Sequence, residues 1–120
     1  MRLRRKSDDD LAVRRVLVAT DRSETAERAV RFAAEMAERY EAELHVLRVL
    51  VSDDGTRAEA ARELGEYAAS LAGERGRASV VIAEDPAEAI VEAARREKAD
   101  VLVVGSVGMS GRREFLLRNV

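Results

Sequence analysis

Two hydrophobic periods alternate along this chain, and that alternation limits the folds open to it more than any single residue does. Short apolar runs fall at residues 15–20, 44–51, 78–83 and 101–104. Each has the length and β-branched content of a strand buried on both faces. Between them lie longer segments whose apolar residues return every three or four positions. The first is Ala26, Ala29, Val30, Ala33, Ala37 and Tyr40, the second Ala61, Leu64, Ala68 and Leu71, and the third Ile90, Val91 and Ala94. These are the single stripes of amphipathic helices. Parallel strands need crossover connections, and helices of this kind supply them. The order β-α-β-α-β-α-β therefore predicts an α/β fold with an open, mostly parallel, doubly wound sheet over residues 14–120. Residues 1–13 read as a charged lead-in, since Arg2, Arg4, Arg5 and Lys6 stand beside Asp8, Asp9 and Asp10 with little to bury.

Punctuation between the runs agrees with this order. Asp85-Pro86-Ala87-Glu88 is a helix start, with Asp85 as cap, Pro86 in the first turn and Glu88 able to reach back. Asp21 and Glu24 have capping-box spacing, and Ser23 is the competing cap. Asp53, Asp54 and Gly55 mark a loop, and Gly73 and Gly76 end the second helix.

Composition closes off several kinds of activity. With no cysteine, there is no disulfide, thiolate metal site or thiol nucleophile. The one histidine, His45, has no second histidine to join it in a metal or catalytic site and reads as a core residue. A net charge of −2 argues against a nucleic-acid partner, which needs a basic surplus to release phosphate counterions. An apolar run such as 101–104 is far too short to span a bilayer, and no apolar core follows the basic N-terminus as a secretory signal requires. No membrane partner is expected, and the expected location is the cytoplasm.

In an open parallel sheet, ligands sit beyond the carboxyl ends of the strands, where strand order reverses. Two strand ends here carry chemistry. One is Ala19-Thr20-Asp21. The other is Gly105-Ser106-Val107-Gly108-Met109-Ser110-Gly111, whose glycines let backbone N–H groups face an anion. Lacking the Lys-Ser/Thr ending, it is no Walker loop. A Gly-x-x-Gly turn by itself also serves merely to bend a strand, and Asp21 by itself also serves as a helix cap. Ser106 and Ser110 have no neighbouring histidine base, and Met109 reads as packing. Arg112 and Arg113 read as a solvated face, with phosphate steering as the alternative.

Taken together the motifs resemble the universal stress protein family. Val16-Leu17-Val18-Ala19-Thr20-Asp21-Arg22-Ser23-Glu24-Thr25-Ala26 resembles its opening strand and turn. Asp85-Pro86-Ala87 with Ile90 resembles its third helix start. Ala99 to Gly111 resembles its fourth strand and glycine loop, and Arg113-Glu114-Phe115-Leu116-Leu117 the segment that follows. The resemblance implies a Rossmann-like sheet of the adenine nucleotide alpha hydrolase type, holding ATP or AMP, with Mg2+ as an optional companion. It places Asp21 at the adenosine end and Val49 against adenine. The family's phosphate motif runs Gly, two residues, Gly, nine residues, then Gly and Ser or Thr. Gly105 and Gly108 fit its first half, while Arg118 and Asn119 stand where the closing Gly and Ser or Thr belong. The implied nucleotide site is Ala19, Thr20, Asp21, Val49, Gly105, Val107, Gly108, Arg118, Asn119 and Val120.

Family members continue into a fourth helix and a fifth strand that joins two subunits. Without them the fourth strand would be an open edge, so either the chain is cut short or another segment or chain completes the sheet, and a homodimer or higher homo-oligomer is expected. The function expected is a nucleotide-binding regulatory module of the stress response. The alternative is a nucleotide-free dimeric stress protein acting through protein contacts, favoured by Arg118. A slow ATPase is the least supported reading, because no general base beyond Asp21 and no set of magnesium ligands is evident.

Overall fold

The computed structural model describes residues 12–105 and, for backbone alone, residues 106 and 113–118. Four parallel strands are β1 (Arg15–Ala19), β2 (Glu43–Leu50), β3 (Gly76–Ile82) and β4 (Val101–Ser106). Helices α1 (Glu24–Tyr40), α2 (Arg57–Ala72) and α3 (Pro86–Arg96) connect them in turn. The sheet order is β3-β2-β1-β4-β5, where β5 (Arg113–Arg118) runs antiparallel to β4.

The pleat sorts the apolar residues onto two faces. Val16, Val18, Leu44, Val46, Val101 and Val103 point to one face, where α1 and α2 cover them with Ala29, Val30, Ala33, Ala37, Leu64 and Ala68. Leu17, Leu47 and Leu102 point to the other, where α3 packs Ala93 and Ala94 against them. Small alanines on α1 and α3 let the helices approach the strands closely. The third helix returns on the face opposite the first two, so strand order reverses between β1 and β4. That reversal fixes where a ligand cleft can open.

Asp100, just before β4, ties the opposite rim together. Its Oδ2 accepts from the backbone N–H groups of Arg14 at 2.8 Å and Arg15 at 3.0 Å.

Several expectations need correction. Val13, assigned to the charged lead-in, is 5% exposed and belongs to the core, because the chain enters the sheet just ahead of β1. The rest of that lead-in, residues 1–11, lies outside the described residues. Tyr40 and Ala61, assigned to apolar stripes, are exposed: the former is the last residue of α1, and the latter stands on the solvent side of α2. Ala93 joins Ala94 in the core in place of Val91, while the half-buried Ile90 packs against that core. Of the two ways the β4 edge was expected to be left or completed, the structure shows completion by another segment: the chain's own β5 pairs with it from Val101↔Arg118 to Ser106↔Arg113.

Candidate functional site

A cleft of about 210 Å3 opens at the carboxyl ends of β1 and β4, at the point of reversal. Ala19, Val49, Val104 and Ile90 give it aliphatic walls, and Thr20, Asp21, Ser23 and Thr25 give it polar ones; Ala26, Pro86 and Gly105 complete the lining. It is thus a mainly apolar slot with a few convergent polar groups, the usual makeup of a small-molecule site, though smaller than the roughly 300–1,000 Å3 common for such sites. Among the described lining residues the one charged side chain is Asp21, and none is basic.

The turn from β1 into α1 builds the polar wall. Thr20 is buried, and its N–H donates to the Leu47 carbonyl at 2.9 Å, extending the β1–β2 ladder by one residue. Its Oγ1 accepts from the Arg22 N–H at 2.9 Å. Asp21 Oδ1 accepts from the Ser23 N–H at 2.9 Å. Ser23 then caps α1, its Oγ accepting from the Ala26 N–H at 3.2 Å. The cap is therefore Ser23, and Asp21 closes the turn before it. Hydrogen bonding from the Ser23 side chain, and next from its backbone, holds the Asp21 carboxyl below its ordinary value and keeps it ionised.

Gly105 makes the opposite wall thin. A Cβ there would meet the Thr25 carbonyl oxygen at 3.1 Å and two methyl groups, Ala29 Cβ and Thr25 Cγ2, at 3.4 Å. The glycine lets the end of β4 lie flat against the first turn of α1. Both α1 and α3 begin at this rim, with Ser23 and Pro86 in the lining. Their N-terminal ends carry partial positive charge that favours an anion.

Of the site residues expected from sequence, Ala19, Thr20, Asp21, Val49 and Gly105 line this one cleft. Val107, Gly108, Asn119 and Val120 lie outside the described residues. The backbone of Arg118 pairs with Val101, four residues down β4 from Gly105, or about 13 Å at the usual strand rise. The sequence reading missed Ser23, Thr25, Ala26, Pro86, Ile90 and Val104. Pro86 and Ile90 could have been found, because a helix entered from the carboxyl end of β3 must start at the same rim. Thr25 and Ala26 depend on how α1 leans over β4, which no local pattern encodes. His45 is not in the cleft; its Nε2 lies 2.7 Å from Ser79 Oγ. Among the described residues no cluster of three or more His, Cys, Asp or Glu side chains could hold a metal ion. No helix among the described residues is long and apolar enough to cross a membrane.

Comparison with known proteins follows the same lines. The model of the universal stress protein family matches residues 12–120. No protein of curated function matches the chain significantly in sequence. Among solved structures, a universal stress protein in complex with cAMP is 31% identical with a TM-score of 0.67, covering 82% of this chain and 77% of its own. The protein Rv1636 from Mycobacterium tuberculosis H37Rv is 29% identical with a TM-score of 0.61, over 83% and 79%. The universal stress protein from Archaeoglobus fulgidus in complex with dAMP is 27% identical with a TM-score of 0.60, over 78% and 81%.

Proposed function

This chain belongs to the universal stress protein family, and on that premise we propose that it is an adenine-nucleotide-binding regulatory module whose ligand lies in the cleft between β1 and β4. The observation that carries this reading is the meeting of Asp21, Val49 and Gly105 in one slot at the reversal of strand order. Aliphatic walls suit the faces of a purine, and an ionised Asp21 suits donors such as a ribose hydroxyl or an exocyclic amine. Relatives solved with cAMP and dAMP supply the ligand class.

The amino ends of α1 and α3 at the rim suit the phosphate end of such a ligand. Titration calorimetry of the chain with AMP, cyclic AMP and ATP with Mg2+ tests this reading. At least one of the three is expected to bind, and Asp21→Ala to weaken that binding about tenfold or more, the scale of losing a hydrogen bond to a charged group. No heat with any of the three at millimolar ligand would end the nucleotide reading.

The alternative, a nucleotide-free dimeric protein acting through protein contacts, draws on Arg118 standing where the family's phosphate motif has glycine. The same calorimetry separates the two: silence with all three ligands favours the alternative, and binding of any one excludes it. Regulation of partners, and no more than slow ATP hydrolysis, fits a cleft with one carboxylate and no second catalytic group among its described residues.

A further inference from the structure

Arg22 holds an unusual backbone conformation one residue beyond Asp21. Its φ is 68°, in the left-handed region that side-chain-bearing residues rarely occupy. Such a conformation persists when its surroundings fix it more than once, and it tends to occur beside functional sites. Two of the fixing bonds are local, from the Arg22 N–H to Thr20 and from the Ser23 N–H to Asp21.

The other contacts come from a distant part of the chain. The Arg22 guanidinium lies over the ring of Tyr67 on α2, 4.0 Å from its centroid, a distance at which the ring face attracts a cation. Its Nη1 is 3.3 Å from Glu27 Oε1. That same Glu27 oxygen accepts from the Tyr67 hydroxyl at 2.8 Å. Ring, guanidinium and carboxylate thus close a triangle among α2, the turn and α1, with each member held by the other two. Tyr67 itself does not line the cleft, while Asp21, the residue next to Arg22, does.

We propose that Tyr67 is a positioning residue: acting through Arg22 and Glu27, it locks the β1–α1 turn in the conformation that presents Asp21 to the cleft. This rests on the nucleotide reading above for its functional consequence, but its structural half stands independently. Loss of the lock leaves the turn free to leave its left-handed conformation. Only the fraction of molecules with Asp21 in place then binds, so apparent affinity falls by that fraction.

The test combines backbone NMR relaxation on the ligand-free full chain with AMP titration, using Tyr67→Leu and Tyr67→Phe. In Tyr67→Leu the Arg22 and Ser23 amides are expected to fall from rigid order parameters of about 0.85 to below about 0.6, and AMP affinity to fall about tenfold. The Ala94 amide on α3, across the sheet, is expected to stay rigid, which a general loss of stability would not allow. Tyr67→Phe keeps the ring under the guanidinium and loses only the hydroxyl, so both readouts should fall between the wild type and Tyr67→Leu. The proposal is overturned if the turn stays rigid in Tyr67→Leu, or if it loosens while AMP affinity holds. Should the wild-type chain take up no AMP, the nucleotide reading fails, and the order parameters alone decide the lock. If Tyr67→Leu does not fold, Tyr67→Phe and Glu27→Gln, which removes the charge that holds both partners, carry the same comparison.

Discussion

His45 shows how far a single side chain can be read before its neighbours are known. It lies on the face of the sheet covered by α3, with Ser79 beside it on β3. Burial is the main cause that pushes its imidazole below the ordinary value of 6.5; Arg96 and Arg77 add to this, and Glu97 and Glu43 oppose it. The sign follows from linkage. A depressed histidine value means the unfolded chain takes up the proton more readily than the folded one. The contribution to stability is complete above the unfolded value and is lost as pH falls from there through the folded value. Urea unfolding should therefore show a lower midpoint at about pH 5.5 than at about pH 7.5, and His45→Gln should reduce that difference. An equal drop in the variant would assign it to other groups. Asp21, whose carboxyl is depressed, loses its share as pH falls from the ordinary carboxylate value through its folded value, so its loss begins at lower pH than that of His45.

At the scale of elements, α3 bears an uneven share of the burial. The face holding Leu17, Leu47 and Leu102 has α3 as its one helical cover among the described residues, and the contact is made through Ala93 and Ala94. Both alanines are at most 1% exposed. Ala94→Leu must lift the helix or displace Leu47, at a cost of about 1–3 kcal/mol for an overpacked core. Because Pro86 and Ile90 on the same helix line the cleft, nucleotide binding should weaken in parallel. Denaturant unfolding and AMP titration of that variant measure both effects; a stable variant with weakened binding would mean that the helix shifts instead of straining. The sequence located α3 well, through the Asp85 cap and Pro86, since capping is a local matter of which side chain can reach which N–H. It chose Val91 over Ala93 because the helical period allows a neighbouring stripe until the sheet selects one.

For the whole molecule, β5 has the largest consequence that the linear pattern did not announce. A parallel β4 with nothing beyond it would present a row of free N–H and C=O groups for pairing with another copy. Here six residues of the same chain occupy that edge. Removing residues 107–120 should uncover it and cause concentration-dependent self-association in sedimentation experiments, compared with the full chain. Identical sedimentation of both would show that the edge is protected in another way.

What the sequence determined by itself is local and periodic: four strand runs, three amphipathic helices, their caps, the exclusion of thiol chemistry, and the two strand ends with chemical character. Each follows from spacing along one element or from residue type alone. Only the tertiary structure decided which partners meet across distance. It put Pro86 and Ile90 into the same cleft as Asp21, and Tyr67 under Arg22. It turned β5 back along β4, so that the Arg118 backbone lies beside Val101 and not beside Gly105. Those pairings depend on strand order and helix lean, which arise from burying both faces of the sheet at once, and no window of neighbouring residues contains that information.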